Sequence, residues 1–117
     1  MPSLNMKGPY PFNTKAVDAN VSDKAIGNYA LGTIEQEQFV VQYVGRSDTD
    51  LKERIKDHIG EPYSCFMYSY AENVTKAYQK ECINYHDYVD PGYRLDNEIH
   101  PDKPEGYSDL KCPRCKT

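Results

Sequence analysis

Two hydrophobic periods alternate along the chain. From Ile26 to Thr33 and from Gln38 to Gly45 the apolar residues are spaced as in half-buried strands, and Phe39-Val40-Val41 is the β-rich centre of the second run. Ile34 to Glu37 turns the chain between them, so the two runs predict an antiparallel hairpin. A period of two places Tyr43 on the same face as Phe39 and Val41. Ser64 to Tyr70 alternates again, with Phe66, Tyr68 and Tyr70 on one side, and reads as a third strand.

The period changes in two other stretches. Ser47, Asp48, Thr49 and Asp50 offer N-caps, and a helix is predicted from about Asp50 to Ile59. Leu51, Ile55 and Ile59 form its buried stripe, while Arg54 and His58 share another stripe one turn apart. Gly60 and Pro62 end it. A longer helix is predicted from about Asn73 to Tyr88, with Val74, Ala77, Tyr78, Glu81 and Tyr85 along one side. Glu81 is anomalous there, because an acid on a buried stripe is costly without a partner or a metal. Residues 1–24, with Pro2, Pro9 and Pro11 and no clear period, read as an extended arm or packed loop. Beyond Asp90-Pro91-Gly92 the chain is irregular and proline-rich. The expectation is an α+β domain over 25–97, with a three-stranded, mainly antiparallel sheet flanked by helices, preceded by the arm and followed by a tail over 98–117.

Length allows one domain with one modest core. Eleven tyrosines and no tryptophan predict many half-buried rings with polar tips. The formal net charge of -4 argues against a broadly basic nucleic-acid binder, so any such contact must be local and salt-sensitive. Arg46, Lys52, Arg54 and Lys56 are interleaved with Asp48, Asp50, Glu53 and Asp57, the pattern of a solvated helix face. No run is long enough to span a membrane, and the first residues lack the apolar stretch of a secretory signal. The expected location is therefore intracellular, in the cytoplasm, with no membrane partner.

Cys112-Pro113-Arg114-Cys115 has the spacing of a zinc knuckle. Cys82 and His86 lie at i and i+4 on the second helix, so both can point at one ion. Together they make a Cys₃His set suited to structural Zn²⁺, with His100 an alternative fourth ligand, and such an ion would tie the tail to the helix that carries Glu81. The competing readings are four free thiols, or a redox pair at Cys112 and Cys115. Cys65, on a strand, reads as a buried apolar filler.

The order of elements and residues resembles the GIY-YIG nuclease family. Gly27-Asn28-Tyr29 stands for the first motif and Tyr43-Val44-Gly45 for the second, followed by the basic Arg46; Arg54 and His58 match the helix motif, Glu81 the metal-binding acid and Asn97 the closing asparagine. The resemblance covers roughly residues 26–97, and the ordered set is more specific than either tripeptide. The residues from Glu81-Cys82 to His86 and the tail from Leu95 to Pro101 look like a small single-domain subgroup. Asn28 departs from the isoleucine of the family name. The resemblance implies a metal-dependent endonuclease acting on DNA. Glu81 would hold Mg²⁺ or Mn²⁺, Arg54 the phosphate, and Tyr29 or Tyr43 would orient or deprotonate the attacking water. His58 would pass protons or contact the phosphate. A phenolate base would need a nearby cation to lower its pKa. Two rival expectations are a module on the same frame that binds nucleic acid or protein without turnover, and a zinc-stabilised adaptor. Taken singly, Tyr29 and Tyr43 are packed strand tyrosines, Arg54 a solvated helix residue, His58 a helix-end residue and Asn97 a turn former.

Overall fold

A computed structural model describes residues 4–117; the first three residues of the expected arm lie outside that range. The hairpin is present as β2 (Gly27–Glu35) and β3 (Gln38–Ser47), paired antiparallel from Gly27 opposite Ser47 to Glu35 opposite Gln38. A further strand, β4 (Cys65–Tyr70), pairs with the other side of β2. The sheet has four strands and not three. The arm supplies the extra one, β1 (Lys7–Pro11), which pairs antiparallel with β4 and gives the order β1-β4-β2-β3. The prolines that hide this strand from a periodicity argument are tolerable because β1 is an edge strand with an interrupted register. The arm also contains α1 (Thr14–Asn20), started by Asn13, whose side chain accepts from the Ala16 N–H at 2.8 Å. Val17 and Val21 from this region are core residues.

The other helices are α2 (Leu51–Lys56) and α3 (Val74–Val89). Helices α1 and α2 cover one face of the sheet, where Val17, Leu51 and Ile55 pack on Tyr29, Leu31, Phe66 and Tyr68. Helix α3 covers the other face, with Tyr88 against Ala30, Val41 and Val44. Strand β2 is buried on both faces from Gly27 to Gly32, as a central strand should be. Helix α2 stops at Lys56 rather than Ile59. The N–H groups of His58 and Ile59 bond to Ile55 and Lys56, the tighter i to i+3 pattern, and Ile59 is left 39% exposed. His58 therefore sits in the turn after the helix.

A β-bulge changes the reading of β3. Leu31 faces Tyr43 but the next β2 residue, Gly32, faces Val41, so Gln42 is an extra residue in β3. The expected common face of Phe39, Val41 and Tyr43 is thereby split. Phe39 and Val41 pack toward α3, while Tyr43 packs toward α2 with Tyr29. Among the described residues no helix is long and apolar enough to cross a membrane.

The two-residue hairpin loop places Gln36 and Glu37 at φ of 49° and 65°, a left-handed pair that Asn-Gly adopts at lower cost. The double substitution Gln36→Asn, Glu37→Gly is expected to stabilise the fold by about 1 kcal/mol. The readout is a higher urea midpoint at unchanged slope.

Candidate functional site

Four of the expected site residues come together from four elements. Tyr29 of β2, Tyr43 of β3, Arg54 of α2 and Glu81 of α3 line one cleft of about 370 Å³. Gly45, Arg46 and the loop from Ser47 to Thr49 line it as well, and residues 97–102 complete it. The cleft lies across the free edge of β3, so side chains from both faces of the sheet reach it.

Close backbone approach explains both motif glycines. A Cβ at Gly45 would lie 2.4 Å from the Tyr29 hydroxyl and Cζ, so the absent side chain is the seat of the Tyr29 ring. A Cβ at Gly27 would lie 2.3 Å from the Ser69 carbonyl and 2.8 Å from Leu51, which sets how closely α2 meets the sheet. Asn28, between Gly27 and Tyr29, is fully buried on the opposite face and donates to the Ala77 carbonyl of α3 at 2.9 Å. Its polar side chain ties β2 to α3.

The two phenols are stacked, with ring centroids 6.2 Å apart. His58 lies behind the cleft with its ring 4.9 Å from that of Tyr43. Its Nε2 is 2.7 Å from the Tyr29 hydroxyl and its Nδ1 is 2.9 Å from Oε1 of Glu61. An ionised carboxylate only accepts, so Nδ1 carries the proton, Nε2 accepts, and Tyr29 donates to it. The Tyr29 oxygen is then turned toward the cleft, where Arg54 and Tyr43 bond to it. Burial is the largest effect on Tyr29 and pushes its pKa up; Tyr43 reinforces this, and Arg54 opposes without prevailing. Burial likewise raises Tyr43, with Glu81 adding and Arg54 opposing. Burial thus favours the neutral form of both phenols, and Arg54 beside them does not reverse it.

Glu81 is 8% exposed and accepts from Nη1 of Arg46 at 2.5 Å. Arg46 also donates through Nε to Asp48 at 2.9 Å and lies over the Tyr78 ring, 5.3 Å from its centroid. Burial pushes the Glu81 carboxyl up, while the Arg46 guanidinium pulls it down. Arg46 is raised by Asp48 and Glu81 against its own burial. The partner that a buried acid on this helix requires is therefore Arg46, whose position after the second motif was its only signal in the sequence. Asn97 lines the cleft with its side chain engaged elsewhere. It accepts from the Val44 N–H at 3.0 Å and donates to the Val44 carbonyl at 2.7 Å, in the manner of a neighbouring strand. Glu61 was not singled out by the sequence and carried no signal beyond lying three residues after His58.

A second constellation lies beside the cleft. The ligand atoms of His86, His100, Cys112 and Cys115 all lie within 4.8 Å of one another. A tetrahedral zinc with bonds of about 2.0–2.3 Å separates its donors by about 3.3–3.8 Å, and His100 Nε2 is 3.5 Å from the Cys115 sulfur. Each histidine bonds through Nδ1 to a carboxylate or carbonyl: His86 to Asp90 at 2.9 Å and His100 to Pro101 at 3.0 Å. That is the usual outer support of an Nε2 ligand. His86 Nε2 is buried and has no hydrogen-bond partner among the protein groups. Arg114, inside the knuckle, pairs with Asp87 and Asp90, so the loop is also held by charge. This His₂Cys₂ cluster can hold a metal such as zinc. The expected Cys₃His set changes by one member, with His100 in place of Cys82. Cys82 is fully buried between Tyr78 and Cys112 in a small apolar cluster, and burial pushes its thiol up to about 12. The i, i+4 spacing places Cys82 near the site, but its surroundings favour the neutral thiol. Cys65 is half-buried.

Burial pushes the Cys112 thiol up, but the N–H groups of Cys115 and Arg114, with His100, outweigh it and bring it down to about 6. No family model, curated protein or solved structure matches the chain.

Two outcomes follow from this geometry. Gly45→Ala is expected to destabilise by about 1–3 kcal/mol through overpacking on Tyr29, measured by urea unfolding. In the metal-free protein the lowered Cys112 pKa contributes stability that is complete above the ordinary value of 9.0 and is lost as pH falls through about 6. The urea midpoint of the metal-free wild type should therefore decline over that interval relative to Cys112→Ser, leaving below it only the pH-independent effect of replacing a buried thiol.

Proposed function

We propose that the chain is a GIY-YIG-type endonuclease that hydrolyses phosphodiester bonds in DNA. The observation that carries this reading is the convergence of Tyr29, Tyr43, Arg54 and Glu81, distant in sequence, on one cleft. The ordered motif resemblance agrees with it, and the cleft has the polar, two-signed lining that a phosphate and a water need.

In this reading Arg54, exposed in the cleft, pairs with the phosphoryl oxygens through its planar fork. The attacking water donates to the Tyr29 oxygen. As its proton passes to the Tyr29 oxygen, the Tyr29 proton moves to Nε2 of His58, and Glu61 stabilises the imidazolium that forms. The relay needs no standing phenolate, which suits the raised Tyr29 pKa. Tyr43 stacks on Tyr29, packs at a tilt against the His58 ring, and holds the orientation of both. Glu81 would offer a carboxylate to Mg²⁺ or Mn²⁺, which would keep several waters and, when bound, would polarise the phosphate and screen the departing oxygen. The donor set fits such an ion only if Glu81 shares its carboxylate with Arg46 or exchanges it. The His₂Cys₂ cluster is assigned to structural Zn²⁺ on its donor chemistry, two thiolate sulfurs and two supported imidazoles.

One observation favours a second reading, a binding module without turnover: Glu81 is already engaged by Arg46. The acidic net charge points the same way. Plasmid DNA incubated with the protein and Mg²⁺ or Mn²⁺ separates the two. Cleavage by wild type is expected to fall at least about 100-fold in Glu81→Ala and Arg54→Ala. It should fall by about 100-fold in Tyr29→Phe and less, about tenfold, in Glu61→Gln. Wild type and variants leaving duplex, branched and single-stranded DNA equally intact would leave the binding module standing.

A further inference from the structure

The metal cluster and the cleft share a residue. His100 contributes a ligand atom to the His₂Cys₂ cluster and also lines the cleft. It sits in the strap of residues 96–102 that closes the outer side of the cleft, and its ring packs against Tyr85 and His86 of α3 at 5.5 and 5.2 Å. The same helix carries Glu81 into the cleft from a position five residues before His86.

The strap is anchored unequally along its length. At its start the Asp96 N–H donates to the Gln42 carbonyl at 2.5 Å, the Tyr63 hydroxyl donates to Asp96 at 2.8 Å, and Asn97 holds Val44. Among the described residues, the hydrogen bonds of segment 98–111 run within the segment, apart from the contact of His100 with Cys115. Pro101 and Pro104 are buried, but Glu98 and Asp102 are exposed and Ile99 is 66% exposed. Little therefore fixes the far end of the strap except the joining of His100 to the knuckle and to α3.

We propose that Zn²⁺ bound by His86, His100, Cys112 and Cys115 is the clamp that holds strap 96–102 as the outer wall of the cleft, so that occupancy of the metal site decides whether the cleft is formed. Loss of the metal frees His100, and the far end of the strap leaves the cleft while Asp96 and Asn97 stay bound to β3. The clamp itself follows from the cluster and the strap. Its consequence for DNA rests on the nuclease reading above.

The test compares wild type as purified, wild type stripped with dipicolinate and then reloaded with Zn²⁺, and Cys115→Ser, with Cys65→Ser as a control outside the cluster. Cys115 is exposed, so this variant removes a ligand with little disturbance of the core. Metal analysis should give about one zinc per chain for wild type and Cys65→Ser. In the stripped protein and in Cys115→Ser the backbone order parameters of Ile99 and His100 should fall below about 0.6 and the NOE between the His100 and Tyr85 rings should be lost, with β2 amides still protected from exchange. Zn²⁺ should restore wild type and not Cys115→Ser. Absence of zinc, unchanged order at Ile99 and His100 after its removal, or loss of protection throughout β2 would each overturn the proposal. None of these readouts depends on cleavage. If plasmid is cut, stripping should raise KM more than it lowers kcat; loss of order at Ile99 and His100 on stripping, with plasmid left intact, would uphold the clamp and defeat the nuclease reading alone.

Discussion

Strand β3 stands at the rim of the sheet, and half of its backbone groups face away from β2. Such an edge invites pairing with another chain and leaves polar groups to be satisfied. Here the molecule covers part of it with its own tail. The amide of Asn97 takes both the N–H and the carbonyl of Val44, and the Asp96 N–H takes the carbonyl of Gln42. This substitute for a fifth strand fixes where the tail begins its return, places residues 97–102 across the end of β3, and brings His100 to α3 and the knuckle. The cleft is the space left between the edge and its cover.

A buried ion pair forms the floor of that space. Removing Arg46 and Glu81 from water costs several kcal/mol per charge, recovered only when geometry and further hydrogen bonds are good. Asp48 binds the other side of the guanidinium and the Tyr78 ring lies over it, so the charge is satisfied on three sides. The arrangement organises one wall before any ligand arrives. In the proposed nuclease, a divalent ion at Glu81 would have to compete with this well-housed arginine. The tyrosine side of the cleft is governed by burial in the opposite sense. Desolvation favours the neutral form of Tyr29 and Tyr43, and in the proposed relay the proton passes to the imidazole behind them.

Much of this architecture is written in local pattern. The hairpin, the third strand and helices α2 and α3 are legible because a period of two or of 3.6 needs only near neighbours, and Glu81 is conspicuous on its buried stripe; Tyr29, Tyr43, Arg54 and Asn97 stand out only through the ordered motif resemblance. What escapes local pattern depends on distant segments. Strand β1 is held by β4, against its own prolines. The bulge at Gln42 turns Tyr43 to the α2 face, where a strict alternation places it with Val41. The early end of α2 puts His58 in a turn, within reach of both Tyr29 and Glu61.

The sequence by itself determined the chemical inventory and most of the segments: an α+β chain with a tyrosine-bearing hairpin, one misplaced acid, and a knuckle able to take a metal. Only the tertiary structure decided who meets whom. Arg46 became the partner of Glu81, His100 displaced Cys82 from the metal cluster, and Asn97 became a surrogate strand. The physical reason is that spacing along a helix or strand sets the face a side chain occupies, whereas its protonation and its partners depend on burial and on groups that the fold brings in from elsewhere.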